Sequence, residues 1–120
     1  MVRRMAEKVA TEPNDLGRYF VERANARDVD GLVALYERNA VLAFPEGDLA
    51  TGHAEIREVY ARFVESGPVL SVGRQRPALV SGDLALTSTE LTTGAVTVEI
   101  AHRQPDGSWL WAVDQPAFVS

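Results

Sequence analysis

The sequence has no cysteine, a single lysine and two histidines. Without cysteine there is no disulfide framework, no thiolate nucleophile and no cysteine zinc site, and a reducing, cytoplasmic setting is expected. Two histidines with no motif spacing predict no dedicated metal site. Neither a Gly-rich phosphate loop nor a Gly-x-Ser-x-Gly elbow occurs. Long apolar runs are missing too, so no segment is expected to cross a bilayer. Met1 to Ala10 carries Arg3, Arg4, Glu7 and Lys8 without an apolar run, the pattern of neither a signal peptide nor an anchor. Positive charge is scarce: 12 basic residues against 17 acidic ones leave a net charge of −5. Proteins that live on nucleic-acid phosphates usually carry the opposite sign.

What remains is ordinary globular material. The 120 residues are 46% hydrophobic and 24% charged, enough for one domain over 1–120 with its own core. Residues 1–11 read as a loosely ordered, extra-helical segment. Glu12-Pro13 suits a first helical turn, because proline has no N–H to lose there. Leu16, Tyr19, Phe20 and Ala24 follow at helical spacing. Asp28 is placed to cap a second helix with Val29, Leu32, Leu35 and Tyr36 on its apolar side. Gly31 weakens that helix by about 1 kcal/mol relative to Ala. Ala40 to Phe44 reads as a short strand stopped by Pro45. A third helix is expected from Gly52 to Ser66, striped by Ile56, Val59, Tyr60 and Phe63 and ended by Gly67-Pro68.

Strands are expected at Val69–Val80, Leu84–Leu91, Ala95–Gln104 and Trp109–Gln115, joined by short Gly-containing connections that favour antiparallel hairpins. Helices first and strands afterwards predict an α+β domain, with helices on one face of a curved antiparallel sheet. Alternation places Val96, Val98 and Ile100 on one face, opposite Thr97, Glu99, Ala101 and Arg103. In the last strand Leu110, Ala112 and Asp114 alternate with Trp109, Trp111, Val113 and Gln115. Both of its faces are apolar, so the side bearing the two tryptophans needs cover. A second subunit is the simplest cover, and a homodimer through that face is expected.

The order of motifs resembles the nuclear transport factor 2-like superfamily, in its SnoaL-like and ketosteroid-isomerase-like branch. The resemblance is carried by Arg18-Tyr19-Phe20, Ala26-Arg27-Asp28-Val29-Asp30, Tyr36-Glu37-Arg38-Asn39-Ala40-Val41, Gly52-His53-Ala54-Glu55-Ile56, Pro105-Asp106-Gly107-Ser108-Trp109 and Val113-Asp114-Gln115-Pro116. It implies three N-terminal helices on a curved antiparallel sheet forming a cone, the cystatin-like architecture, open at one end to a small-molecule pocket. Such a fold hosts isomerases, cyclases, hydrolases, dehydratases and pure binding modules, so function rests on the site residues.

By resemblance Tyr19 stands where ketosteroid isomerases carry their tyrosine. Phe44 and Ile100 stand where the Asp base and the protonated Asp belong. Two apolar residues at those places argue against steroid-type isomerisation. Limonene-epoxide-hydrolase-like members use an Asp-Arg-Asp set, of which only Asp114 is matched; Val98 and Ile100 replace the others. Asp114 either faces the pocket, where apolar walls raise its pKa toward the useful range, or lies solvated at the mouth. Tyr19 and Phe20 are adjacent on one helix, so either one faces inward.

His53 and Glu55 read as residues of the third helix's first turn. His102 shares the parity of Ile100. Arg74 and Arg76 share a strand face that either meets an anionic ligand or forms a solvated edge. The expected ligand contacts are Phe20, Phe44, Tyr60 and Phe63, with Val98, Ile100 and Ala112 from the sheet. The expected activity is binding of a small, mostly apolar organic molecule, with no metal or organic cofactor. The alternative is an isomerase, cyclase or dehydratase using Asp114 as general acid or base and Tyr19 as hydrogen-bond donor.

Overall fold

The computed structural model describes residues 8–43, 48–67 and 69–119. Helix α1 spans Asp15–Asn25. Its start is fixed by Asp15, whose carboxylate accepts from the Thr11 and Glu12 backbone N–H groups at 3.1 Å and pairs with Arg18. Helix α2 is a five-residue turn, Val29–Val33, and Asp28 caps it by accepting from Gly31 N–H at 2.9 Å. A Cβ at Gly31 would run into the Asp28 carboxylate, so the glycine that weakens the helix also makes room for its cap.

The second helix therefore stops before Leu35. Tyr36 opens strand β1, Tyr36–Ala43, rather than ending a helix. Leu32, Leu35 and Tyr36 are all buried, as their apolar spacing requires, but the last of them arrives from a strand. Strand β2, Leu49–Thr51, pairs with β1 and leads into helix α3, Gly52–Ser66. Gly67, at φ 73°, closes α3 in the left-handed region, with its N–H on the Phe63 carbonyl. The Arg27 guanidinium donates to the Val64 carbonyl in the same last turn.

The segment expected as one strand from Val69 to Val80 is broken. It contributes only β3, Arg74–Gln75, and β4, Leu79–Ser81, both paired with β5, Leu84–Glu90. Between them Arg76, Pro77 and Ala78 face only two residues of β5, a bulge centred where proline has no N–H for the ladder. Strands β6, Val96–Arg103, and β7, Trp109–Val119, complete a seven-stranded sheet in the order β2-β1-β7-β6-β5-β3, with β4 also on β5.

Two expectations about the sheet are corrected. It is not wholly antiparallel, because β1 runs parallel to β7. Nor does it form a cone. Among the described residues the strand path ends at two edges, β2 and β3, and the sheet neither closes nor curls strongly. The domain is an α+β layer structure of helices on an open sheet. Among the described residues no helix is long and apolar enough to cross a membrane.

The core lies between the helices and one sheet face. Leu16, Leu32, Val33, Tyr36, Leu42 and Ile56 are its largest fully buried side chains. Trp109 and Trp111 join them, at 5% and 4% exposure. The outward tryptophan face expected from simple alternation is thus reversed: the two largest side chains go where they bury most apolar area. Ile100 and Val113 take the outer face instead. Ala10 pairs with Trp109, whose N–H donates to the Ala10 carbonyl at 2.9 Å.

Candidate functional site

A cavity of about 270 Å³ opens between α1, α3, the stretch 70–73 and the inner face of β5 to β7. Helix α1 contributes Phe20 and α3 contributes Tyr60 and Phe63, while Trp111 forms the sheet side of the aromatic wall. Phe20 meets Tyr60 edge-on at 5.7 Å and Trp111 at 6.1 Å, and Tyr60 meets Phe63 at 6.3 Å. Two carboxyl groups interrupt this apolar lining, Asp114 from β7 and Glu99 from β6.

Asp114 reaches the cavity past an irregularity in β7. Ile100 pairs with Val113 and the next residue, Ala101, pairs with Trp111, so Ala112 is an extra residue in the ladder. A one-residue bulge switches which side chains face inward. Trp111 and Asp114, three apart, consequently share the inner face, while Val113 between them is 43% exposed.

Buried hydroxyls hold the two acids. Tyr60 and Tyr36 share a hydrogen bond of 2.6 Å between their hydroxyls, and Tyr36 donates to Asp114 Oδ2. Trp111 Nε1 donates to Thr87 Oγ1 at 3.3 Å, and Thr87 Oγ1 donates to Glu99 Oε1 at 2.6 Å. Burial pushes Asp114 up to about 8, the charge of Glu99 adds to the rise, and the Tyr36 hydroxyl opposes it. Burial also raises Glu99, against the pull of the Thr87 and Thr97 hydroxyls. Burial and the neighbouring acid hold Tyr36 and Tyr60 well above the ordinary tyrosine value, so both stay neutral donors. The pair can therefore hold a proton at neutral pH, donate it, and take it back.

Of the sequence candidates, Asp114, Phe20, Tyr60 and Phe63 meet at the cavity. Tyr19 is not among the lining residues; the Lys8 ammonium and the Arg23 guanidinium each lie 5.4 Å from its ring centroid. The donor to Asp114 is Tyr36 instead. Val98, Ile100 and Ala112 are also outside the lining, and Ile100 is 38% exposed on the outer face. Phe44 lies outside the described residues.

The other titratable candidates have local partners. His53 Nε2–H donates to the Tyr36 carbonyl at 2.8 Å, and Glu55 accepts from Thr51 N–H at 2.7 Å. His102 Nδ1 lies 2.8 Å from Glu37 Oε2. Arg74 and Arg76 both pair with Glu90, at 3.8 and 2.6 Å. Among the described residues no group of three His, Cys, Asp or Glu side chains could hold a metal ion. Glu99 and Tyr36 were missed by alternation alone. The usable signal was the size of the tryptophans: taking Trp109 and Trp111 inward places their antiparallel neighbour Ala101, and with it Glu99, on the same side.

An α+β layer of three helices on an open sheet, with a pocket between them, defines the nuclear transport factor 2-like class. The SnoaL-like domain family model matches residues 17–115, and the chain belongs to that family. No curated protein sequence matches it. Among solved structures it is similar to a Thiobacillus denitrificans protein described as a calcium/calmodulin-dependent protein kinase type II association domain. The TM-score is 0.72 at 15% identity, over 95% of this chain and 100% of that one. A ketosteroid isomerase-like protein from Erwinia carotovora atroseptica gives 0.68 at 22% identity, over 84% and 88%. A SnoaL-like protein of unknown function from Burkholderia thailandensis gives 0.61 at 17%, over 87% and 93%. At these identities the likeness is one of fold.

Proposed function

We propose that this chain binds a small organic molecule with an apolar body and one polar end, the body against the aromatic wall and the polar end at Asp114 and Glu99. The carrying observation is the pair itself: two carboxyls facing one apolar cavity of about 270 Å³. Buried polar groups are costly without partners, and a pocket with few, convergent polar groups is the usual form of a small-molecule site.

The second acid also favours a catalytic reading, in which the pair moves a proton on the bound molecule, as an isomerase, cyclase or dehydratase requires. Burial raises both carboxyls, so the pair as a unit holds the proton that is moved. Proton exchange tests this without knowing the natural substrate. Cyclohexanone and acetophenone in heavy water should exchange their α-hydrogens faster with the protein than with buffer. Asp114→Asn and Glu99→Gln should each remove that excess. Exchange at the buffer rate leaves the chain a binding module.

The same reading includes a homodimer, formed through a different part of the sheet from the one alternation suggested. Leu79, Leu86, Ile100, Val113 and Val41 pair in succession across β4, β5, β6, β7 and β1, a single apolar row on the outer face. Such a row is self-complementary about a two-fold axis.

A further inference from the structure

We propose that the polar end of the ligand is an organic ammonium, seated between Asp114 and Glu99 with its apolar body along Phe20, Tyr60, Phe63 and Trp111. This rests on the cavity being the ligand site.

Charge is the first argument. Among the described residues the lining contains two acids and no Lys, Arg or His, so an anionic ligand would meet like charge there. Hydrogen-bond capacity is the second. Asp114 takes one bond from Tyr36, and Glu99 is held by threonine hydroxyls, so each acid retains acceptor sites toward the cavity. A carbonyl or hydroxyl ligand engages one of these acids and leaves its cross-strand neighbour unmatched. An ammonium carries three donors and a charge that suits both.

The walls supply the third argument. Four aromatic rings line the same cavity, and ring faces attract organic cations. A hard metal cation is poorly served here, since calcium wants six to eight oxygens and rings supply none.

Without a ligand, the pair relieves its mutual repulsion by holding a proton. A ligand ammonium replaces that proton. Displacing a proton from a group near 8 costs only about tenfold in affinity at pH 7. Binding is then coupled to proton release.

The test compares three molecules with the same body: 2-phenylethylamine, 2-phenylethanol and phenylacetate. Calorimetric titration at pH 7 in two buffers of different ionisation enthalpy counts the protons exchanged. The amine should bind, release close to one proton, and exceed the alcohol about tenfold or more, as expected for hydrogen bonds to charged groups. Phenylacetate should not bind. Glu99→Gln should lower amine affinity about tenfold and alcohol affinity by less, because only the amine carries a charge that the carboxylate meets. An alcohol that binds as tightly as the amine, or an amine that binds without releasing a proton, overturns the ammonium and leaves the pocket standing. Failure of amine and alcohol alike, with no change in tryptophan fluorescence, overturns both. The proton count uses the unaltered protein, so it holds even where a variant does not fold.

Discussion

Glu99 on β6 and Asp114 on β7 are direct cross-strand partners, and both are buried against the cavity. Like charges directly opposite one another destabilise a sheet, and burial makes the conflict worse. A pair in that position adds nothing to the core that two apolar residues would not supply better. Perturbed carboxyls gathered at a cavity are instead what binding and catalytic sites contain. The surrounding hydroxyls also distinguish the partners. Threonines 87 and 97 steady Glu99 as an anion, whereas Asp114 has Tyr36 alone. Burial raises both groups, so the two acids hold a proton as a pair.

Stability should fall as pH rises. Asp114 ionises at its ordinary value of 3.8 when unfolded and near 8 when folded. Its contribution is thus full below about pH 4 and is lost as pH climbs to about 8, because the folded state binds the extra proton throughout that window. Asp114→Asn removes this part of the dependence and leaves that of Glu99, which burial also raises. Thermal unfolding at pH 5 and pH 9 should show the wild-type Tm dropping several degrees more than that of the variant. Equal drops would assign the titration to another group.

Tyr36→Phe should expose how much the hydroxyl chain contributes. It removes the donor to Asp114 and leaves Tyr60 without its partner. Leaving buried polar groups unsatisfied costs about 1–3 kcal/mol. The lost bond favoured the ionised acid, so Asp114 should titrate higher still. Urea unfolding and carboxyl NMR titration measure the two effects separately. A lower Asp114 value in the variant would mean that Tyr36 accepts from the acid rather than donating to it.

The outer-face row gives a prediction about assembly. Ile100 is 38% exposed and sits at the centre of the row. Ile100→Arg should turn a dimer into a monomer while changing monomer stability by about 0.5 kcal/mol or less, the usual range for a surface change. Trp111→Arg should instead unfold the chain, because that side chain is core. Sedimentation velocity at micromolar concentration decides the first, and a wild-type monomer there would refute the dimer.

Much of the fold was legible in local pattern. The apolar spacing of α1 and α3, the Asp28 cap and the hairpins of β5 to β7 follow from chemistry within a few residues. The helix-to-strand change at Tyr36 was not legible, because Leu32, Leu35 and Tyr36 sit at helical spacing whether or not the helix continues. The open, partly parallel sheet depends on where β1 docks, a long-range choice that no short window encodes. Asp114 was found because it was the one acid in an apolar strand end. Glu99 was lost because strict alternation was carried through a strand pair that contains a bulge.

That bulge yields the last prediction. Ala112 is the extra residue between Trp111 and Asp114, which face the same way. Deleting it leaves Trp111 and Asp114 two positions apart, the spacing that shares a face in unbroken alternation. The pairs Ala101–Trp111, Ile100–Val113 and Glu99–Asp114 then fall into one regular register, so both side chains stay inside. The bulge is thus a consequence of the extra residue and not the device that points the acid inward. The deletion variant should fold with a blue-shifted tryptophan emission, keep the fall in stability between about pH 4 and pH 8, and still bind 2-phenylethylamine. A folded deletion variant in which Asp114 titrates near the ordinary carboxyl value of 3.8 would show that the bulge geometry itself, and not the shared face, sets the site.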